Sequence, residues 1–358
     1  MPMTCIPPIP RKPFPFGDLV PLGFLVRALH HATQHPAANA LIQDLTALLT
    51  AKQHEHLWAF HSGHLITSTD SCLILLGLHD VQAITALDRF YDGQYGYYPQ
   101  LWSLAPRPDH MLLKPSYRHW CQTDYATTCF IRGLQRQAHV PVKTPLEYIS
   151  AGFDHRSGLF FANPYLVDWG VALAIKDDPD VHALRTQLLL EVLASQQPDG
   201  SFGRFDRLLS TALAVLTLTT LGHGGNALNR AQEWIAEAAD TPLAEEKARP
   251  FYSSDLLDER LLSFHQLVLF KALNGDQVCQ IEKTYHGISY YEDSEHMIRS
   301  ALLFLALAEA SSEQGDMSQE GEERSVTQAC HPRYQCRSQA EYLSRYALPP
   351  YVRGLCET

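Results

Sequence analysis

Six times along this chain of 358 residues, a short acidic, hydroxyl-rich element precedes a strongly apolar run, recurring roughly every 45 residues. The six are Thr67-Ser68-Thr69-Asp70, Gln122-Thr123-Asp124, Asp168-Trp169, Asp206 with Ser210-Thr211, Ser253-Ser254-Asp255 and Glu292-Asp293-Ser294. A carboxyl shielded from water keeps its proton to higher pH and can act as a general acid. A pair such as Asp70 with Asp124, a few Å apart, could instead serve glycoside cleavage or elimination. The same carboxyl in the first turn of a helix accepts orphan backbone N–H groups. That role is worth ~0.3–1 kcal/mol and stabilises the charged form, making a poorer acid. The regularity of the six favours this capping role for most of them.

Asp109 does not keep the rhythm. It sits in Trp102-Ser103-Leu104-Ala105-Pro106-Arg107-Pro108-Asp109-His110-Met111, within the long connection from Tyr98 to Trp120. Long connections on a rigid scaffold often carry function, and Pro106, Pro108 and Pro115 would stiffen this one. It leads into an inner helix, so it should lie at the helix N-terminal end and fold over a central cavity. His110, or His61 or His64 from the preceding repeat, could orient an Asp109 proton. Asp109 is thus the preferred acid, followed by Asp124 and Asp70, with His110 in support.

Other chemistries find no support. HExxH does not occur among the 18 histidines, and GxSxG, P-loop and dinucleotide fingerprints are absent. The eight cysteines form no CxxC pair; Cys330-His331 with Cys336 is only a faint metal pattern lacking a fourth ligand. Asp70-x-Cys72 faintly echoes a zinc site. Arg107, Lys114, Arg118 and Arg156 could meet a carboxylate or diphosphate head group, although solvent-facing charge explains each.

The elements that must position these groups are helices. The runs CLILLGL, YATTCFIRGL, VALAI, ALAVLTL, LLSFHQLVLF and MIRSALLFLALA are apolar all round, as for helices of a buried inner ring. Between them lie amphipathic outer candidates: Val81–Tyr91, Lys143–Gly152, Pro179–Gln196, Ala227–Ala239 and Asp276–Thr284. Phe24 to Gln53 also reads as helical. No single repeat could bury its own apolar face, so the repeats should close on one another. The expectation is an all-α chain forming a single (α/α)6 barrel, or toroid. Its parts would be a proline-rich N-terminal arm (1–23), the barrel (24–310), a polar linker (311–330) and a C-terminal tail packing on the barrel (331–358).

Composition limits the partners. Hydrophobic residues make up 46% and charged residues 19%, so a large core is affordable. The net charge is −11 with no Lys/Arg cluster, which argues against nucleic acid. No apolar stretch reaches the ~20 residues of a transmembrane segment, and the proline-rich start does not read as a signal peptide. A soluble, cytoplasmic protein is expected.

Gln196-x-x-x-Gly200-x-Phe202 resembles the QW motif of squalene and oxidosqualene cyclases, with Phe for Trp. The region from about Gln53 to Ala308 is similar to the toroid of those cyclases and of protein prenyltransferase β subunits. With one toroid's worth of helices, the chain most resembles single-domain class II terpene cyclases of the merosterolic acid synthase type, known from cyanobacteria. The resemblance implies an enzyme that protonates the terminal alkene of a prenyl chain, geranylgeranyl on a hydroxybenzoate, and forms a fused polycycle through carbocations. One departure matters: where such cyclases carry Asp-x-Asp-Asp, both nearest matches here keep only the last Asp, Asp70 or Asp124, with Thr before it.

Such a reaction needs a dry cavity whose walls stabilise cations, which aromatic faces do at ~0.5–2 kcal/mol each. Trp58, Trp102, Trp120, Tyr125, Phe160, Phe161, Trp169, Phe202, Tyr290 and Tyr291 lie near predicted inner-helix starts. With His64 they are the substrate-binding candidates, although core and turn packing explains any one of them. The partner implied is a hydrophobic prenylated small molecule. No redox cofactor is called for, and nothing in the sequence indicates a metal; Mg2+ is admitted but not signalled. Competing readings are an (α/α)6 glycoside hydrolase or lyase with paired carboxylates, a prenyltransferase-like subunit, and a non-catalytic prenyl-lipid carrier.

Overall fold

The structure is a computed structural model that describes residues 4–6, 19–59, 66–101, 123–258, 277–281, 284–313 and 329–347. Its helices, in chain order, are α1 (Leu19–Leu29), α2 (Pro36–Ala51), α3 (Ser68–Leu75), α4 (Val81–Ala86), α5 (Tyr125–Gln137) and α6 (Leu146–Gly152). They continue as α7 (Pro164–Ile175), α8 (His182–Leu193), α9 (Arg207–Thr220), α10 (Asn226–Ala238) and α11 (Met297–Glu313). A short α12 (Gln339–Tyr342) follows.

The apolar runs explain the ring. All twelve residues of α7 are buried, as is every residue of α9 from Leu208 to Thr219. A helix with no polar face must be surrounded by others. Contacts run from α1 to α3, α5, α7, α9 and α11, and α11 packs back on α1, which closes a ring of six. Contacts at matching depth make neighbours parallel: Thr69 meets Thr127, Gly170 lies against Phe130, and Asn163 bonds Ser210. All the inner N-termini therefore open on one end. Helices α2, α4, α6, α8 and α10 alternate with them along the chain. The architecture is a helical toroid.

Local chemistry starts each inner helix. Thr67, Asp124 and Asn163 cap α3, α5 and α7 by accepting from Asp70, Thr127 and Tyr165 N–H groups. Between α1 and α3 the backbones nearly touch, and a Cβ on Gly23 would lie 2.6 Å from Ile74 Cα. Only glycine fits there.

The structure corrects the sequence reading at four places. The sixth inner helix is α1, which begins at Leu19, inside the stretch assigned to the proline-rich arm. Pro21 hid it; a proline in a first turn forfeits no helical bond. Phe24 to Gln53 is two helices, broken before Pro36. The Ser253-Ser254-Asp255 element opens no helix; it lies in strand β2 (Ala248–Asp258), while LLSFHQLVLF falls outside the described residues. Within the outer candidate Asp276–Thr284 the described residues are likewise extended, in β3 (Gln277–Ile281) and at the start of β4 (Thr284–Asp293). With β1 (Thr4–Ile6) these form an antiparallel sheet ordered β1-β3-β4-β2. Its sequences are rich in β-branched and aromatic residues, which suit a pleated surface better than a helix.

The segment 329–347 lies on the wall at α7. Arg333 donates to Pro164 O (2.7 Å) and pairs with Asp168 (3.3 Å), and the Tyr334 hydroxyl donates to Asp168 Oδ2 (2.8 Å). No helix among the described residues is long and apolar enough to cross a membrane.

Candidate active site

Asp70 is the third residue of α3, one turn above Leu73. Asp70, Leu73 and Ile74 lie on adjoining rows of α3, and Gly77 follows in the turn after its end. Gly77 abuts α1 at Gly23 and Arg27, whereas Thr69 reaches α5 and Ser71 bonds outward to Trp58. Asp70 therefore sits at the N-terminal mouth of the ring, on the side of α3 turned to α1. The Thr67 hydroxyl donates to its Oδ2, and the other oxygen has no hydrogen-bond partner among the described residues. Burial pushes the Asp70 carboxyl up to about 6, against the opposing pull of the Thr67 hydroxyl and a backbone N–H. No arginine or lysine is among these influences.

The other acids are occupied differently. Asp124 caps α5, accepting from Thr127 N–H (2.8 Å) on one oxygen and from Leu159 N–H (2.7 Å) on the other. Burial raises its pKa, yet both oxygens are committed to backbone donors. That leaves it poorly placed to pair with Asp70 in glycoside chemistry. Asp168 is fully buried in an ion network with Arg156 (2.7 Å), Arg333 and Tyr334, and Arg156 also binds Glu191 (2.6 Å). Arg156 is thus internal architecture and not a head-group ligand. Asp293 accepts from Arg299 N–H (2.9 Å) at the start of α11. Asp206, directly before α9, caps nothing: its backbone is left-handed (φ 51°) and its side chain accepts no helix N–H.

Counting from each helix start exposes a layer that the sequence reading missed. The sixth residues of the inner helices are Phe24, Leu73, Phe130, Trp169, Ala212 and Leu302, all buried. Phe24 and Trp169 face each other from opposite sides of the ring (6.4 Å), and Phe130 meets Trp169 edge-on (5.9 Å). This layer closes the ring about 4.5 Å below Asp70, at 1.5 Å per residue. Above it Phe161 stacks on Phe130 (5.7 Å), Phe251 meets Phe161 (6.0 Å) and Tyr291 meets Phe251 (5.9 Å). A continuous aromatic path so leads from the ring's centre to the sheet, where Phe251 and Tyr291 keep accessible surface. The indole N–H of buried Trp169 has no hydrogen-bond partner among the described residues.

Of the aromatic candidates, Phe161, Trp169 and Tyr291 belong to this path. Four others are engaged elsewhere. Trp58 is buried and donates its indole N–H to Leu49 O (2.8 Å) on α2; Tyr125 leans out over Gly152, donating to Ile149 O (2.8 Å). Phe202 is buried against Tyr165 in the QW-like turn. Gln196 there donates to Gly200 O (2.9 Å) and Ala227 O (2.7 Å), tying the turn to α10. Tyr290 alternates with Tyr291 along β4 and lies beside Arg249, Tyr342 and Leu343. Phe160 is half-buried, its carbonyl accepting from Tyr252 N–H (2.9 Å). Asp109, His110, His61, His64, Trp102, Trp120, Arg107, Lys114 and Arg118 lie outside the described residues.

The zinc echo at Asp70-x-Cys72 has no basis in the geometry. The Cys72 thiol is buried on Thr69 O (3.1 Å), and burial with nearby Asp70 and Asp124 pushes its pKa well up. Among the described residues no three His, Cys, Asp or Glu side chains converge as a metal site.

No family model matches the sequence, and no curated protein does so. Solved structures do match. A protein from Actinoplanes superposes with a TM-score of 0.60 at 14% identity, over 86% of this chain and 93% of its own. Type II terpene cyclase MstE from Scytonema, in its apo form, gives a TM-score of 0.60 at 13% identity over 83% of this chain and 89% of its own. The fold is that of the type II terpene cyclases. ent-Copalyl diphosphate synthase from Streptomyces platensis matches with a TM-score of 0.51 at 16% identity, this chain covering 50% of it. A variant of MstE has been solved with geranylgeranyl dihydroxybenzoate as its substrate (TM-score 0.57, 12% identity).

Proposed function

We propose that this protein is a class II terpene cyclase acting on a prenyl chain, geranylgeranyl attached to a hydroxybenzoate, and that Asp70 is its proton donor. The observation that carries this reading is the Asp70 carboxyl, which stands in the first turn of an inner helix at the mouth of an apolar ring, its pKa pushed up to about 6 by burial. Protonating an isolated alkene needs an acid that holds its proton to higher pH than an ordinary carboxyl does, and burial provides one. Asp70 gives its proton to the CH of the terminal alkene, leaving a tertiary cation. Internal alkenes then attack in turn, each closing a ring and moving the cation along the chain. A final C–H loses its proton to give a cyclic alkene. Substrate and product have the same composition, so the reaction balances without a redox cofactor.

Phe130, Phe161, Phe251 and Tyr291 offer faces that favour positive charge, while the Trp169 ring already carries the Arg27 guanidinium (5.0 Å). The complex of MstE with geranylgeranyl dihydroxybenzoate supports the choice of substrate class. Asp124, with both oxygens on backbone N–H groups, keeps the capping role. Asp109 remains the rival donor on sequence grounds. Replacing Asp70, Asp109 and Asp124 singly by Asn and assaying turnover of geranylgeranyl dihydroxybenzoate tests the assignment. Loss of turnover by at least a hundredfold is expected for Asp70→Asn. Near-wild-type cyclisation by that variant would refute the role.

A further inference from the structure

Proton-initiated cyclisation also needs a base to end it, and none was legible in the sequence. We infer that Asp206 is this base, an assignment that rests on the cyclase reading of the same ring. In a ring of six, α9 is the third neighbour of α3 in either direction, so the two helices stand opposite each other. Asp70 and Asp206 both lie at the N-terminal end of their helices. They therefore stand on opposite walls of the same mouth, with the aromatic layer and the unpartnered Trp169 indole N–H below. A prenyl chain folded across that mouth places its terminal alkene at one wall and its last-formed cation at the other.

The local structure of Asp206 sets it apart from the capping acids. It precedes a fourteen-residue helix without capping it, in a left-handed conformation that side chains other than Gly, Asn and Asp rarely adopt. Its Oδ2 accepts from Arg249 N–H (2.9 Å) at the start of β2, which fixes the carboxyl's direction. The other oxygen has no hydrogen-bond partner among the described residues. Burial pushes the carboxyl up to about 6, against Arg249 N–H and the charges of Arg299 and Arg249, while Glu246 adds to the rise. The guanidinium of Arg249 is itself held by Glu292 (2.6 Å).

The two carboxyls thus have different surroundings. Asp70 has only a hydroxyl and an amide to favour its charged form; Asp206 has two arginines nearby. Both carboxyls are pushed up to about 6, so above pH 6 Asp206 is largely a carboxylate. Turnover there falls to the fraction of molecules whose Asp70 still holds its proton. A C–H beside a tertiary cation is acidic enough for any carboxylate to remove. The proton lost enters as Asp206–COOH and the C–H electron pair becomes the product's alkene. Asp70 is left ionised, and exchange with water resets both groups.

The test compares the wild-type protein with Asp206→Asn, which retains the left-handed backbone and the acceptor for Arg249 N–H. Each is incubated with geranylgeranyl dihydroxybenzoate and products are resolved by mass. The wild type should give a cyclic alkene isobaric with the substrate. In Asp206→Asn the alkene should fall at least tenfold relative to cyclic alcohol, in which water has captured the cation. The wild-type product ratio should move the same way as pH falls below about 6, where Asp206 becomes protonated, and the variant's ratio should be flat. An unchanged alkene share, or a folded variant that consumes no substrate, overturns the assignment. If the wild type itself consumes no prenylated substrate, the cyclase reading fails instead. Should the variant not fold, the pH dependence of the wild-type ratio decides the question alone.

Discussion

Replacing Asp70 by Asn should stabilise the protein while silencing it. Burial raises this carboxyl from 3.8 to about 6, so the folded state binds its proton more tightly than the unfolded chain does. At 1.36 kcal/mol per pH unit, ionising Asp70 in the folded state costs about 3 kcal/mol. That cost is absent below pH 3.8, grows as pH rises to about 6 and is constant above it. Asn escapes it, less ~0.3–1 kcal/mol for the lost interaction of a carboxylate with the start of α3. The expected net gain is about 2 kcal/mol at pH 8. With an unfolding entropy of ~2.1 cal/mol/K per residue over 358 residues, that is about 3 °C in Tm. Urea denaturation of both proteins at pH 8, 6 and 4 measures it. The two curves should converge at pH 4, with the variant ahead at pH 8. A variant less stable than wild type at pH 8, or a difference independent of pH, would refute the burial that raises the Asp70 carboxyl.

Other outcomes follow from the same structure. Gly23→Ala drives a Cβ into Ile74 and should cost ~1–3 kcal/mol by overpacking α1 on α3, seen as a lowered Tm. Asp168→Ala leaves Arg156 and Arg333 buried without their carboxylate and should cost ~3–5 kcal/mol, measured by urea titration. Gln196→Ala removes two hydrogen bonds to backbone carbonyls and should lower stability by ~1–3 kcal/mol without changing the product, since the QW-like turn serves α10 and not the mouth. Substrate consumption by the wild type should fall about tenfold per pH unit above pH 6 as Asp70 loses its proton, a slope that a stopped assay across pH 6–8 will give.

What the sequence disclosed depended on whether a residue's role was local. The runs after Asp70, Asp124, Asp168, Asp206 and Asp293 announced inner helices because an apolar surface on every side has no other soluble use. Asp124 was legible as a cap because the cap is made with the residue three places on. Helix α1 was hidden by Pro21, which its first turn tolerates. Ser253-Ser254-Asp255 misled because hydroxyls and an acid before an apolar run look alike whether a helix or a strand follows. Nothing local marks Asp206 as left-handed and uncapping; tertiary contact with Arg249 decides that. Phe24, Phe130 and Trp169 became a layer only once the helix starts were known and equal depth could be counted.

The central claim is that cyclisation begins with a proton from Asp70, and solvent isotope labelling tests it most directly. Geranylgeranyl dihydroxybenzoate turned over in D2O should yield a product carrying one deuterium, in the ring methylene that was the terminal alkene CH. Asp70→Asn should yield no labelled product. An unlabelled cyclic product from the wild type, or a labelled one from Asp70→Asn at the wild-type rate, would contradict the account.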